Sequence, residues 1–106
     1  MKKVYNKLVR DKIPEIIVEN GSECNCRILD EAEYATMLNA KLLEECNEWI
    51  ADEDITEIAD VLEVLYAIAE LKGYSWEEVE RVQRLKKDQR GGFTKRVYLE
   101  EVDTDK

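Results

Sequence analysis

Between Asp30 and Gly73 the chain carries a helical apolar period that is interrupted once, at Asp52-Glu53-Asp54. Two amphipathic helices joined by so short a link must fold back on each other, so an antiparallel helical hairpin is expected. Asp30 and Glu33 have the spacing of a capping box, which starts the first long helix and carries it to about Ala51. Asp54 or Asp52 is the next N-cap; the second helix then runs from about Ile55 to Lys72 and stops at Gly73. Ser75 and Glu78 open a third helix to about Gln89, which Arg90-Gly91-Gly92 breaks.

The flanks are read by the same signals. Pro14 fits a first helical position and Gly21 a stop, giving a brief helix with Ile13, Ile16 and Ile17 on its apolar face. Cys24 to Leu29 alternates as a short strand would, and Phe93 to Val102 reads as an extended tail. The expected class is therefore all-α: a hairpin plus further helices, with short extended N- and C-terminal segments, forming a helical bundle in an oligomer. With 106 residues, one domain over 1–106 is expected.

On a helical wheel the first long helix has an apolar arc of Tyr34, Leu38, Trp49, Leu42, Ala35 and Cys46. Glu45 projects from inside that arc and Glu48 lies beside it. On the second helix Glu57 and Asp60 continue the stripe of Val64, Ala67, Ile68 and Leu71, away from the solvated sector of Thr56, Glu63 and Glu70. Both helices thus aim carboxylates where the pattern asks for Leu or Val. Glu48 and Glu57 are equally far from the turn, as are Glu45 and Asp60, so an antiparallel hairpin brings the four to one height. Packed axes lie ~8–10 Å apart, within side-chain reach.

Like charges on an apolar wall repel, and desolvation disfavours the ionised form further. Lys41 is the one basic residue within helical reach of the four. A dication resolves the conflict, and an oxygen-only ligand set favours Mg²⁺ first and Mn²⁺ second. Glu77 and Glu80 share the same spacing, but Arg81 and Arg84 follow four residues on and make an ordinary ion-pair ladder.

Composition narrows the chemistry. There is no histidine, which removes His-based acid–base catalysis, Ser-His-Asp triads and the Glu-x-x-His sets of di-iron bundles. A formal charge of −9 opposes binding to a nucleic acid polymer but admits a small anion beside a metal. No membrane span and no secretory leader are expected, and the Cys24-Asn25-Cys26 spacing is a poor fit to structural zinc. Cys46 is expected to be a buried, inert thiol. A cytoplasmic location is expected.

The run Glu44-Glu45-Cys46-Asn47-Glu48, followed by Glu57-Ile58-Ala59-Asp60, resembles the EExxE…ExxD signature of the all-α nucleotide pyrophosphohydrolases. Tyr5-Asn6-Lys7-Leu8-Val9-Arg10-Asp11-Lys12-Ile13-Pro14 and Arg90-Gly91-Gly92-Phe93-Thr94-Lys95-Arg96 resemble the small MazG-like, phosphoribosyl-ATP-pyrophosphohydrolase-like branch. The resemblance implies Mg²⁺-dependent cleavage of a nucleoside triphosphate between its α- and β-phosphates. It implies Glu45, Glu48, Glu57 and Asp60 as metal ligands and Glu44 as the residue that orients the water or takes its proton. One departure is visible: eight residues separate Glu48 from Glu57, fewer than in many members. A homodimer or higher homo-oligomer is implied, and the second helix, apolar around most of its circumference, agrees.

Phosphates also require cations from the protein. Candidates are Lys7, Arg10 and Lys12 near the start, and Lys86, Lys87, Arg90, Lys95 and Arg96 near the end, with Lys7 and Arg10 ranked first. Trp49 and Tyr34 are candidates to stack on a base, though aromatics at helical spacing more often pack in a core. Phosphoribosyl-ATP cleavage is the alternative within the enzymes. An acidic helical module that binds a protein partner is the alternative outside them.

Overall fold

The computed structural model describes residues 1–105 and contains four helices and no strand among them: α1 Ile13–Glu19, α2 Glu31–Asp52, α3 Ile55–Lys72 and α4 Trp76–Arg90. The expected strand at Cys24–Leu29 is absent; the segment is irregular and almost wholly exposed. Its alternation finds no neighbouring strand to pair with, and without ladder hydrogen bonds an alternating run is only a loop.

Helix boundaries follow the caps. Asp30 accepts a hydrogen bond from the Glu33 backbone N–H at 2.8 Å, which fixes the start of α2. The Glu33 carboxylate also accepts from Arg27, at 2.6 and 3.2 Å. Asp54 caps α3 by accepting from Thr56 N–H at 3.0 Å. At the far end Gly73 takes a left-handed conformation (φ 81°), and the N–H groups of Gly73 and Tyr74 reach back to Glu70 and Ala69. That closure ends α3 without leaving its last carbonyls unsatisfied. Pro14 sits in the first turn of α1, as its missing N–H requires.

Contacts divide the chain into two units, Met1–Tyr74 and Ser75–Lys106. In the first, α2 and α3 pack against each other as the expected hairpin. Only Glu53 and Asp54 separate them, and Glu53 adopts the left-handed region (φ 51°, ψ 35°) at the α2 C-cap. A non-glycine residue there is strained, so the reversal is imposed by the helices on either side. In the second unit, α4 opens on a complete capping box between Ser75 and Glu78. Its end carries a turn, Arg96 N–H to Phe93 O at 3.0 Å, where a wholly extended tail was expected.

The core of the hairpin is small. Leu38, Val64 and Ala69 are the buried hydrophobic residues among those described. Cys46, expected to be buried, is half-buried, and Trp49 is over a third exposed and no core residue. A second apolar stripe on α3, Ile55, Ile58, Leu62, Leu65 and Tyr66, remains exposed, from 79% at Ile55 to 37% at Leu62. Among the described residues no helix is long and apolar enough to cross a membrane.

Candidate metal centre

The short reversal after Asp52 places the first turn of α3 beside the last turns of α2. There the acids gather in two overlapping groups. One carboxylate oxygen each from Glu45, Glu57 and Asp60 lie within 4.8 Å of one another, as do one each from Glu48, Asp52 and Glu57. Glu57 belongs to both. The expected single cluster of four is therefore two triads that share a residue.

Burial separates the members. Glu45 is buried, at 9% exposure, as its place inside the apolar arc requires; Glu57 and Asp60 are half-buried. Glu48 is exposed, which corrects the inward orientation read from the wheel. It lies at the edge of the arc, one helical turn before the bend. Asp52, read from the sequence as part of the link or as an N-cap, is the last residue of α2 and an added member of the cluster. The available signal was its position one helical turn beyond Glu48, on the same face.

Three cations stand among these acids. Lys41 Nζ lies 3.1 Å from Glu45 and 3.3 Å from Glu44, so Glu45 does have a cationic partner on its own helix, contrary to the expectation that the four acids lack one. The other two arrive from the start of the chain. Lys7 Nζ meets Glu44 at 2.8 Å, and Arg10 Nη2 meets Asp60 at 2.7 Å. Wheel reasoning confined to the hairpin had no access to these partners.

The electrostatics are uneven. Glu57 pairs with no cation among the described residues, and its pKa is raised, by desolvation first and then by Asp60, Glu48, Asp52 and Glu45. Glu44 is held below the ordinary glutamate value, chiefly by the hydrogen bond from Lys7 and further by Lys41. The pKa of Lys7 is raised in turn by that same hydrogen bond. Glu44, expected to orient or deprotonate water, stands outside both triads and accepts from the two ammonium groups of Lys7 and Lys41.

The donor set suits a hard dication. Each triad offers only carboxylate oxygens, and an octahedral Mg²⁺ at about 2.1 Å draws its ligands within roughly 4.2 Å of one another. Side-chain rotation covers the difference from the observed spacing. Among the other predicted residues, Lys12 is the N-cap residue of α1 and makes no ion pair among the described residues. Arg90, Lys95 and Arg96 belong to the second unit. The expected Glu80–Arg84 pair is present at 3.8 Å, while Glu77 and Arg81 form none among the described residues. No family model, no curated protein and no solved structure matches this chain.

The raised pKa of Glu57 has a definite sign. Its carboxyl is best accommodated protonated, so its contribution to stability is full below the ordinary glutamate value and is lost as pH rises through the raised one. At neutral pH without metal it opposes folding. Glu57→Gln should therefore raise the Tm at pH 7 in EDTA, and the difference from wild type should shrink on acidification. Scanning calorimetry checks this; a lower Tm for the variant at pH 7 in EDTA would contradict it.

Proposed function

We propose that the chain is a Mg²⁺-dependent nucleoside triphosphate pyrophosphohydrolase, releasing nucleoside monophosphate and pyrophosphate. The observation that carries the reading is the convergence of Glu45, Glu57 and Asp60 from two helices on one point, with Glu45 buried. Structural acids on a helical surface have no reason to meet across a hairpin, since their repulsion opposes folding. A site for a hard cation gives the cluster a purpose.

In this reading Glu45, Glu57 and Asp60 hold one ion, and the ligand count admits a second at Glu48, Asp52 and Glu57. Mg²⁺, or Mn²⁺ in its place, would supply there positive charge for the phosphate oxygens and a more acidic attacking water. Glu44, adjacent to Glu45 in sequence, is assigned to orienting that water. Lys41 holds Glu45 in place, its ammonium 3.1 Å away. Lys7 and Arg10 are the phosphate-facing cations that the first unit supplies. Trp49, over a third exposed on the same helix as Glu45 and Glu48, is available to stack on a base.

A homodimer belongs to the same proposal. The stripe of Ile55, Ile58, Leu62, Leu65 and Tyr66 is a contiguous apolar face of the kind that protein interfaces cover. A second copy of the hairpin would bury it and enlarge a core that is otherwise small. Sedimentation equilibrium should give twice the chain mass for wild type; a monomer at micromolar concentration would remove this part of the proposal. A cytoplasmic setting fits the three free cysteines, and removal of noncanonical nucleotides is the role this chemistry would serve there.

The activity is tested with a panel of nucleoside triphosphates and phosphoribosyl-ATP in Mg²⁺, scored separately for pyrophosphate and orthophosphate. Pyrophosphate should appear with at least one member. Glu45→Gln, Glu57→Gln and Asp60→Asn should each lower the rate by about 100-fold or more, as expected when several kcal/mol of charge stabilisation are removed. Glu48→Gln should lower it too, while helical circular dichroism is retained in all four. Release of orthophosphate alone, or turnover undiminished in all four variants, would reject the assignment.

A further inference from the structure

The ion pairs from the N-terminal segment have an arrangement that simple surface charge does not require. Leu8 and Val9 are half-buried and lie between Lys7 and Arg10, so the backbone is held while both cationic heads stay in water. Arg10 is also fixed at its carbonyl, which accepts from Ile13 N–H at 3.0 Å at the start of α1. The side chains are 40% exposed at Lys7 and 54% at Arg10, and they reach across 37 and 50 residues of sequence to Glu44 and Asp60. Exposed pairs of this kind are weak, because water screens them and two long side chains must be ordered. A rigid stem with weakly held, long-stemmed heads is suited to changing partners.

We propose that Lys7 and Arg10 are exchangeable counter-ions: they hold Glu44 and Asp60 when the centre lacks a dication, and move to phosphate oxygens when a metal–polyphosphate enters. The inference rests on the metal-centre reading above and adds to it a coupling between the two ligands. Arg10 and a dication compete for Asp60, so the metal alone meets an occupied carboxylate. A polyphosphate removes that competitor by offering it a stronger, multidentate acceptor. The polyphosphate in turn needs Arg10 and the metal together, since the six carboxylates of Glu44, Glu45, Glu48, Asp52, Glu57 and Asp60 would otherwise repel it. Metal and phosphate therefore bind cooperatively, and each is weak without the other. Lys41 takes no part in the exchange. It is far less exposed than the other two and sits between Glu44 and Glu45 on their own helix.

The full-length protein tests this with two probes. Mn²⁺ binding is followed through the electron paramagnetic resonance signal of the free ion, and inorganic tripolyphosphate binding in saturating Mg²⁺ by calorimetry. Arg10→Gln should bind Mn²⁺ about threefold more tightly, the scale on which an exposed ion pair competes. The same variant should bind tripolyphosphate about tenfold more weakly, the scale of a lost charge-assisted hydrogen bond. Arg10→Lys should stay within about twofold of wild type on both. Lys7→Gln should weaken tripolyphosphate binding but leave Mn²⁺ affinity unchanged, because its partner Glu44 is not a ligand, and Arg10→Met serves if Arg10→Gln does not fold. A purely structural role would weaken both ligands together, and that outcome, or unchanged Mn²⁺ affinity in Arg10→Gln, overturns the proposal. Failure of the metal reading looks different: wild type would then show no saturable Mn²⁺ binding that Glu57→Gln abolishes.

Discussion

Electrostatic repulsion at the bend of the hairpin is the constraint to which the rest of the first unit answers. Two residues join α2 to α3, and that brevity forces Glu57 against Glu48 and Asp52 on one side and Glu45 and Asp60 on the other. A buried carboxylate among other carboxylates is tolerated only with nearby positive charge. Lys41 supplies it from within α2, and Lys7 and Arg10 supply it from the start of the chain. Glu57 has no such partner among the described residues, and desolvation and the neighbouring acids raise its pKa. Stability is thus given up at one point of the fold, and that point is where the proposed chemistry takes place.

The apolar side of the hairpin has the complementary property. Packing α2 on α3 buries Leu38, Val64 and Ala69, and leaves a full stripe of α3 facing solvent. Large side chains such as Ile55 and Ile58 contribute little while they remain wet, because hydrophobic stabilisation scales with the apolar area removed from water. A second copy of the chain would convert that area into core. The proposed dimer and the proposed metal centre therefore use opposite demands of the same two helices: one face needs apolar cover, the other needs a cation.

Local signals were readable in the sequence because their causes are local. Asp30, Asp54, Ser75 and Gly73 set helix ends through hydrogen bonds to residues a few positions away, and α3 begins and ends where those residues stand. Glu45 could be placed inward because an acid among Leu38, Leu42 and Trp49 breaks the pattern on one helix. Non-local partners were not readable. That Arg10 meets Asp60 depends on the path of residues 1–12 across the hairpin, which no periodicity encodes. The membership of Asp52 depends on how soon α3 begins after Glu53. The mistaken strand at Cys24–Leu29 has the same origin, since a strand exists only through a partner.

The central claim is that the meeting of Glu45, Glu57 and Asp60 exists to hold a dication, and the most direct measurement is anomalous scattering from crystals soaked in Mn²⁺. A peak is expected at coordination distance, about 2.1–2.2 Å, from oxygens of all three residues, with Arg10 displaced from Asp60 once a polyphosphate is added. Three carboxylates turned toward bulk water, with Arg10 still on Asp60 and no anomalous density between them, would contradict it.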